Sequence, residues 1–157
     1  MISKKMINIK LITINKKIFY SYYIKKEFEA GMLLKGWEVK SIRSGKINII
    51  NSYIYIKNNS VYLTGTSFGV LHTTHVKSSS TIRDIKLLLN SNEIKLLSGF
   101  ISNKNYTIVA ISLFFKKSWV KIKIGVAIGK KIYDKRSAIK KREWEISKNR
   151  LIKMQNL

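Results

Sequence analysis

Residues 27–31, EFEAG, and residues 36–46, GWEVKSIRSGK, are the most informative part of the sequence. Just before and within this stretch, Ile24, Phe28 and Met32 recur at intervals of four residues, the spacing of one helical face. Glycines lie at the end of the first segment and at the start of the second. The pattern predicts a short helix, a glycine stop and a strand that ends in a basic turn.

The predicted helix covers residues 25–35. Glu27 and Glu29 fall in its front half, where the helix dipole favours anions. Gly36 is the expected stop, because glycine accepts the left-handed conformation of a helix cap. The residues that favour a strand and its closing turn follow at once: Trp37, Val39, Ile42, Ser44 and Gly45.

Short strands are predicted on both sides of this stretch. Alternating apolar and polar residues favour a strand over residues 7–11. Residues 47–57 and 60–64 are β-branched and aromatic runs, and we predict a hairpin that turns at Asn58-Asn59, because asparagine tolerates the positive φ of such turns. Residues 66–81 are rich in serine and threonine, which favours a loop.

A second helix and a long hairpin complete the body. Asn90 is the expected helix cap, with Glu93 in the capping-box position and Gly99 at the end. Residues 106–128 are predicted to form a hairpin that turns at residues 116–118. Because open sheet edges are a liability, the many short strands predict a mainly β fold: a small antiparallel β-barrel of OB-like character, closed or nearly closed, with two or three short helices.

The charge of the chain points to a polyanionic partner. The 157 residues include 31 lysines and arginines against 8 acids, which gives a net charge of +23. A small domain ordinarily carries a net charge of about 2–8 in magnitude. Nucleic acid is therefore the first candidate and an anionic membrane surface the second. Part of the lysine content also fits a composition bias, since isoleucine and asparagine are abundant and proline is absent.

Catalytic and metal chemistry find little support in the sequence. The acids show no two-metal spacing, and no phosphate-cradling glycine loop or dinucleotide fingerprint occurs. His72 and His75 are three residues apart, but a zinc site needs further ligands and the chain has no cysteine. We expect no catalytic residue, metal or cofactor. The lack of cysteine, of a signal-peptide core and of a membrane-length apolar run favours a cytoplasmic protein.

The chain changes character after Gly129. Residues 130–157 hold ten lysines and arginines against three acids, and apolar residues are sparse. Such a segment buries too little apolar surface to dock firmly, so we expect it to be mobile alone and helical on a partner. The predicted organisation is a barrel over residues 1–129 and a flexible basic C-terminal tail over residues 130–157.

Four blocks of the sequence resemble the SmpB family, the bacterial SsrA-binding proteins of trans-translation. The first is the stretch quoted above, the second is KLLLN at residues 86–90, and the third is residues 119–131. The fourth is the tail signature Asp134-Lys135-Arg136, then Ile139-Lys140 and Arg142-Glu143-Trp144. Family members are usually richer in arginine before the second block. Here residues 83–85 keep one arginine and add an acid, which weakens the expectation of phosphate contacts there.

The resemblance also implies which residues contact RNA. The positions that match RNA-proximal family residues are Asn15, Glu29, Leu88 and Asn90. Basic residues that would follow a phosphate backbone are Lys121, Lys123, Lys130 and Lys131. In the tail, the residues expected on the ribosome are Tyr133, Asp134, Lys135, Arg136, Lys140, Arg142 and Trp144. Plainer alternatives stay open: a helix-dipole role for Glu29, a core position for Leu88, a cap for Asn90 and ordinary solvation for the lysines.

The function that the resemblance implies is non-enzymatic RNA binding. The body would bind the tRNA-like domain of tmRNA and deliver it to stalled ribosomes, so that nascent peptides are tagged for degradation. The tail would enter the empty decoding site and mRNA channel of the small subunit and become helical against ribosomal RNA. We expect a monomer. The alternatives are a general OB-type or ribosome-associated RNA-binding protein, a membrane-surface protein with an amphipathic tail, and an enzyme acting on RNA.

Overall fold

The fold is mainly β, with antiparallel strands and several helices. A computed structural model describes residues 9–69, 83–103 and 105–155. In chain order the elements are β1 (Ile9–Ile14), α1 (Lys16–Ser21), β2 (Tyr22–Met32), α2 (Gly36–Arg43), β3 (Ile47–Asn48), β4 (Tyr53–Lys57), β5 (Ser60–Thr64), β6 (Ser67–Phe68), β7 (Ile85–Leu88), α3 (Ser91–Ile101), β8 (Tyr106–Lys116), β9 (Trp119–Gly129) and α4 (Ile132–Gln155).

Seven strands form one sheet in the order β1-β8-β9-β2-β7-β5-β4. The strands β3 and β6 form a separate two-stranded ladder. Register shifts in β1, β2 and β8 mark bulges, which bend strands and increase their twist. In the described part of the chain no ladder joins β1 to β4, although β4 contacts β8. The sheet is therefore not closed into a barrel, and the expectation of a closed barrel is wrong.

The predicted helix over residues 25–35 is also wrong, because these residues belong largely to β2. A spacing of four is also a multiple of two, so Phe28 and Met32 satisfy the strand period as well as the helical one. Ala30 between them is buried too, while Glu29 points to solvent. Ile24 packs in a second, smaller apolar cluster, because a bulge shifts the register between Ile24 and Lys26.

The strand predicted after Gly36 is a helix, and Gly36 begins it instead of ending one. The Glu38 carboxylate accepts the backbone N–H of Lys35 at 2.6 Å, which satisfies one of the free donors of the first turn. Glu38 and Ile42 are four residues apart and both are buried, so one side of α2 faces inward. Gly45, with φ of 73°, makes the turn that was predicted after this segment.

The predicted hairpin turns and the predicted start of α3 are confirmed. Asn58 and Asn59 adopt positive φ values of 48° and 54° in the turn between β4 and β5. Strands β8 and β9 form the long hairpin. Glu93 accepts the backbone N–H of Asn90 at 2.8 Å, but α3 continues two residues past the predicted end at Gly99.

Three further predictions differ from the structure. The first strand runs over Ile9–Ile14, later than residues 7–11, of which residues 7 and 8 lie outside the described part. The short helix α1 was not predicted at all. In the predicted loop, residues 67 and 68 form β6, and residues 70–81 lie outside the described residues.

The tail forms the 24-residue helix α4, and its described side chains are mostly exposed. Its contacts with the body include α1. The apolar side chains do not gather on one side of the helix, so α4 has no apolar stripe with which to dock. We predicted helix formation on a partner; in the structure the segment is already helical.

Candidate nucleic-acid interface

A strip of alternating acids and lysines crosses β8, β9 and β2. Glu29 pairs in register with Lys123, and Gly31 pairs with Lys121. The Lys116 ammonium donates to the Glu29 carboxylate at 2.9 Å. Lys123 forms an ion pair with Glu27 at 3.2 Å. The predicted basic stripe is therefore a mixed strip, in which two lysines already have carboxylate partners.

The lysines in these ion pairs can exchange their carboxylate partners for other anions. All four side chains in the two pairs are 30–46% exposed. Exposed pairs of this kind contribute only about 0–1 kcal/mol, because water screens both charges. A phosphate that approaches the strip can therefore take over a lysine at low cost. No ion pair involves Lys121 among the described residues, so its charge is not offset by a bonded acid.

The hydrogen bond from Lys116 lowers the pKa of Glu29, and the nearby charges of Lys121 and Lys123 act in the same direction. Glu29 is thus an anion at neutral pH inside a basic surface. A carboxylate in that state can accept hydrogen bonds from a base amine or a ribose 2′-hydroxyl. The helix-dipole alternative for Glu29 is excluded, because the residue lies in a strand.

We predict that Lys116→Met raises the pKa of Glu29, because it removes the hydrogen bond that is the largest cause of the lowered value. A depressed folded-state pKa adds stability above the unfolded pKa of about 4.3, and this contribution is lost as the pH falls through the folded value. Carboxyl-detected NMR titration measures the midpoint directly. Lys57→Met, on β4, is the control and should leave the Glu29 midpoint in place; equal midpoints in all three proteins would contradict the prediction.

Leu88 and Asn90 lie beside this strip. Leu88 pairs with Gly31 and its side chain is 53% exposed, which excludes the core alternative. A Cβ atom at Gly31 would lie 3.3 Å from the Leu88 Cβ, so a larger residue at position 31 would crowd the Leu88 side chain. Asn90 begins α3 as its cap and also lines a shallow cleft with Leu88 and Lys86. The cap alternative for Asn90 is confirmed, and its position at the cleft is compatible with binding.

Asn15 is buried, unlike the other residues predicted to contact RNA. Only 1% of it is exposed, and its amide donates to the carbonyls of Ile49 and Ile50 at 3.2 and 3.3 Å. Its backbone N–H donates to Ile111. Asn15 thus ties the start of α1 to β8 and to the segment before β4. Among the described residues its buried Oδ1 atom has no hydrogen-bond partner, and Asn15 lines a cleft of about 230 Å³.

Lys130 is held by the body of the protein. Its ammonium donates to the Phe19 carbonyl at 2.9 Å and lies 4.6 Å from the centre of the Tyr23 ring. Its backbone N–H donates to Ser21. Sequence reasoning predicted an RNA contact and missed this role, since Phe19 is 111 residues away. The neighbouring Lys131 is exposed.

The predicted RNA contacts therefore fall into two groups. Glu29, Lys121, Lys123, Leu88 and Asn90 gather at one end of the β2–β9 ladder. Asn15, Lys130 and Lys131 lie toward the other end, roughly 30 Å along β9 at about 3.3 Å per residue. We call the first group the strip face.

The tail residues lie along α4. Tyr133 and Trp144 are 66% and 64% exposed, and Lys148 lies 5.2 Å from the centre of the Trp144 ring. Asp134 and Lys135 are half-buried at the start of the helix, near the contact with α1. The exposed cations along the helix include Arg136 and Lys140, whereas the Arg142 side chain lies outside the described ones.

An ion pair that the sequence did not reveal joins α2 to the segment just before β7. Arg83 binds the Glu38 carboxylate through two hydrogen bonds of 2.6 and 2.7 Å, and Glu38 is fully buried. The same guanidinium donates to the carbonyls of Leu33 and Asp84 at 3.0 Å. Arg83 thus has a structural role. This agrees with the weakened expectation that its loop contacts phosphates.

Within residues 9–69, 83–103 and 105–155, no three histidine or acidic side chains gather where they could hold a metal ion. The pair His72 and His75 lies outside those ranges. None of the described helices combines the length and apolar character needed to cross a bilayer.

Two comparisons identify relatives of this fold. The family model described as SmpB protein matches residues 12–154. A solved structure described as "tmRNA-SmpB: a journey to the center of the bacterial ribosome" is similar, with 30% sequence identity and a TM-score of 0.64. The match covers 76% of this chain and 85% of that chain. Because the family model spans most of the sequence, the chain belongs to the SmpB family.

Proposed function

We propose that this protein binds the tRNA-like domain of tmRNA and delivers it to stalled ribosomes for trans-translation, without catalysing a reaction itself. The observation that carries the proposal is the similarity to a tmRNA-SmpB structure over 76% of the chain. The net charge of +23 agrees with a polyanionic partner. We further propose that the protein acts in the cytoplasm as a monomer, and that the curved sheet serves as an OB-like platform for RNA.

The strip face is the proposed contact with tmRNA. Lysines along the strip supply attraction to phosphates, which dominates affinity but carries no sequence information. The exposed Leu88 offers apolar contact to an unstacked base or sugar, and the Asn90 amide and Glu29 carboxylate offer hydrogen bonds. A surface that combines these groups can distinguish a folded RNA from a uniform phosphate chain.

Residues 130–157 are the proposed ribosome-binding segment. At 1.5 Å per residue, the 24 residues of α4 span about 36 Å. Cations distributed around this helix suit a channel walled by phosphates on several sides better than a flat surface. We propose that α4 occupies the empty decoding site and mRNA channel, with Tyr133 and Trp144 available for stacking on bases of ribosomal RNA.

A competition assay tests the proposal against a general RNA-binding function. Labelled tRNA-like domain is displaced by unlabelled tRNA-like domain or by an unrelated hairpin of equal length. We expect the unlabelled tRNA-like domain to compete at least about tenfold better, a difference of about 1.4 kcal/mol. Equal competition would favour a general RNA-binding protein and contradict the proposal.

The same assay includes a matched pair of variants. Leu88→Ala should reduce the preference for the tRNA-like domain, because it removes the exposed apolar contact of the strip face. Leu11→Ala is the control, since Leu11 is also 53% exposed but lies on β1. Equal effects of the two substitutions would remove Leu88 from the proposed contact.

A further inference from the structure

Three basic side chains from different parts of the chain line one open cleft at the end of the β8–β9 hairpin. The cleft has a volume of about 480 Å³ and is lined by Lys10 from β1, Arg43 from the end of α2 and Lys117 from the hairpin turn. Phe115 and Ser118 complete the lining, and no acid is among the described residues around it. We call this the hairpin cleft.

The cations of the hairpin cleft differ from the neighbouring Lys116 in their bonding. Lys116, one residue from Lys117, is bound to Glu29, but none of the ion pairs of the described residues includes Lys10, Arg43 or Lys117. Three positive charges around one cleft repel one another unless an anion lies between them. A guanidinium fork, two ammonium groups and a hydroxyl form a donor set suited to a phosphate group.

The backbone at Lys117 supports a role for its side chain. Its φ of 57° is left-handed, as at Asn58 and Asn59 in the other hairpin. Asparagine tolerates this conformation through local hydrogen bonds, whereas lysine has no such advantage. The turn itself would favour glycine or asparagine at this position. The fold of the turn alone therefore does not explain a lysine at position 117.

We propose that the hairpin cleft binds a phosphate group of the RNA backbone, as a site additional to the strip face. The inference rests on the proposed RNA-binding function. A backbone phosphate is favoured over a free anion because the turn also carries Trp119, which follows Ser118 in the chain and is 75% exposed. Trp119 pairs with Lys116 on the strip side of the hairpin, so its indole offers a base somewhere to stack around the turn from the cleft. Lys116 and Lys117 are adjacent in the chain, so an RNA strand that passes around this turn can contact both the strip and the cleft.

The test compares two double variants that each lose two positive charges. R43Q/K117G removes two cations of the cleft, and glycine accepts the positive φ at position 117, so the melting temperature should not fall. K57Q/K95Q removes two exposed lysines from β4 and α3 as the control. Binding of the tRNA-like domain is measured across a salt series. Loss of one phosphate contact should lower the slope of log K against log salt by about 0.7–0.9.

We expect R43Q/K117G to show this lower slope and about tenfold weaker binding, whereas K57Q/K95Q keeps the wild-type slope. Equal slopes in the two variants would contradict phosphate binding by the hairpin cleft and would leave the proposed function intact. If the wild-type chain shows no preference for the tRNA-like domain, the proposed function fails instead, and the inference fails with it.

A second arm separates backbone phosphate from free phosphate. Inorganic phosphate is titrated into the isotope-labelled protein, and the amide signals of residues 117 and 118 are followed by NMR. We expect weak, unsaturated shifts up to millimolar concentrations, because a single free ion lacks the neighbouring contacts of a strand. Saturation at low concentration together with unchanged RNA binding by R43Q/K117G would assign the cleft to a free anion and overturn the proposal.

Discussion

Removal of residues 134–157 should abolish tagging of nascent peptides on stalled ribosomes and leave affinity for the tRNA-like domain within about tenfold of wild type. The residues of the main apolar core lie between Phe28 and Val126, so the body retains its core without the tail. The strip face and the hairpin cleft also lie outside the deleted segment. Lys130, which holds the start of the tail to α1, remains in place.

The prediction is checked in a reconstituted translation system with an mRNA that lacks a stop codon, in parallel with a binding assay on purified tRNA-like domain. A full-length variant with residues 134–157 shuffled keeps the charge and composition of the tail and serves as the control. It should bind the RNA normally and fail to support tagging, because the channel must match a particular order of side chains. A large loss of RNA affinity on truncation would contradict the proposed division of labour between body and tail.

Arg83→Met should lower the free energy of unfolding by about 3–5 kcal/mol, the usual effect of leaving a buried charge without its partner. The Glu38 carboxylate has no solvent exposure, and among the residues that the structure describes the substitution would leave it the Lys35 N–H as its remaining donor. The substitution would also remove the guanidinium's bond to the Leu33 carbonyl, which links the segment before β7 to the end of β2, and its bond to the carbonyl of the adjacent Asp84.

Urea denaturation of the purified protein measures this change. Arg136→Met, on the exposed surface of α4, is the matched control and should alter stability by no more than about 0.5 kcal/mol. The double variant Glu38→Met/Arg83→Met should be more stable than Arg83→Met alone, because removing both charges avoids the unpaired carboxylate. A loss below about 1 kcal/mol in Arg83→Met would mean that water replaces the guanidinium and that the pair is not needed for the fold.

Predictions from sequence succeeded where the deciding residues are neighbours along the chain. The turn at Asn58-Asn59 depends on two adjacent residues with positive φ, and the start of α3 depends on Asn90 and Glu93. The alternation of Ile122 and Lys123 placed one in the core and the other on the surface. In each case the local chemistry and the final packing favour the same conformation, so no distant contact was needed to decide it.

The prediction failed at residues 22–43, where two periods fit the same apolar residues. Phe28 and Met32 suit a helix and a strand equally, and the pairing of β2 with β9 decided for the strand. The helix α2 then follows from Lys35 and Glu38 as its cap and from a buried side that faces the core. Closure of the sheet was also beyond local reasoning, because it depends on whether the distant edges β1 and β4 meet.

The residues of the candidate site were also predicted only in part. Family resemblance pointed to Glu29, Leu88 and Asn90, and the sheet brings them together. It also pointed to Asn15 and Lys130, which the structure uses to hold α1 and the start of the tail. The hairpin cleft had no sequence signal, because Lys10, Arg43 and Lys117 are far apart in the chain and resemble ordinary surface cations.

The amino-acid sequence alone is enough to assign the net charge, the short hairpin turns, the cap of α3 and membership of the SmpB family. The folded sheet is needed to show that residues 22–32 form a strand, that Arg83 neutralises Glu38, and that three separate cations share one cleft. The difference follows from how far apart along the chain the interacting residues lie. Turns and caps depend on bonds between residues a few positions apart, whereas burial and ion pairing depend on which distant segments the folded sheet places side by side.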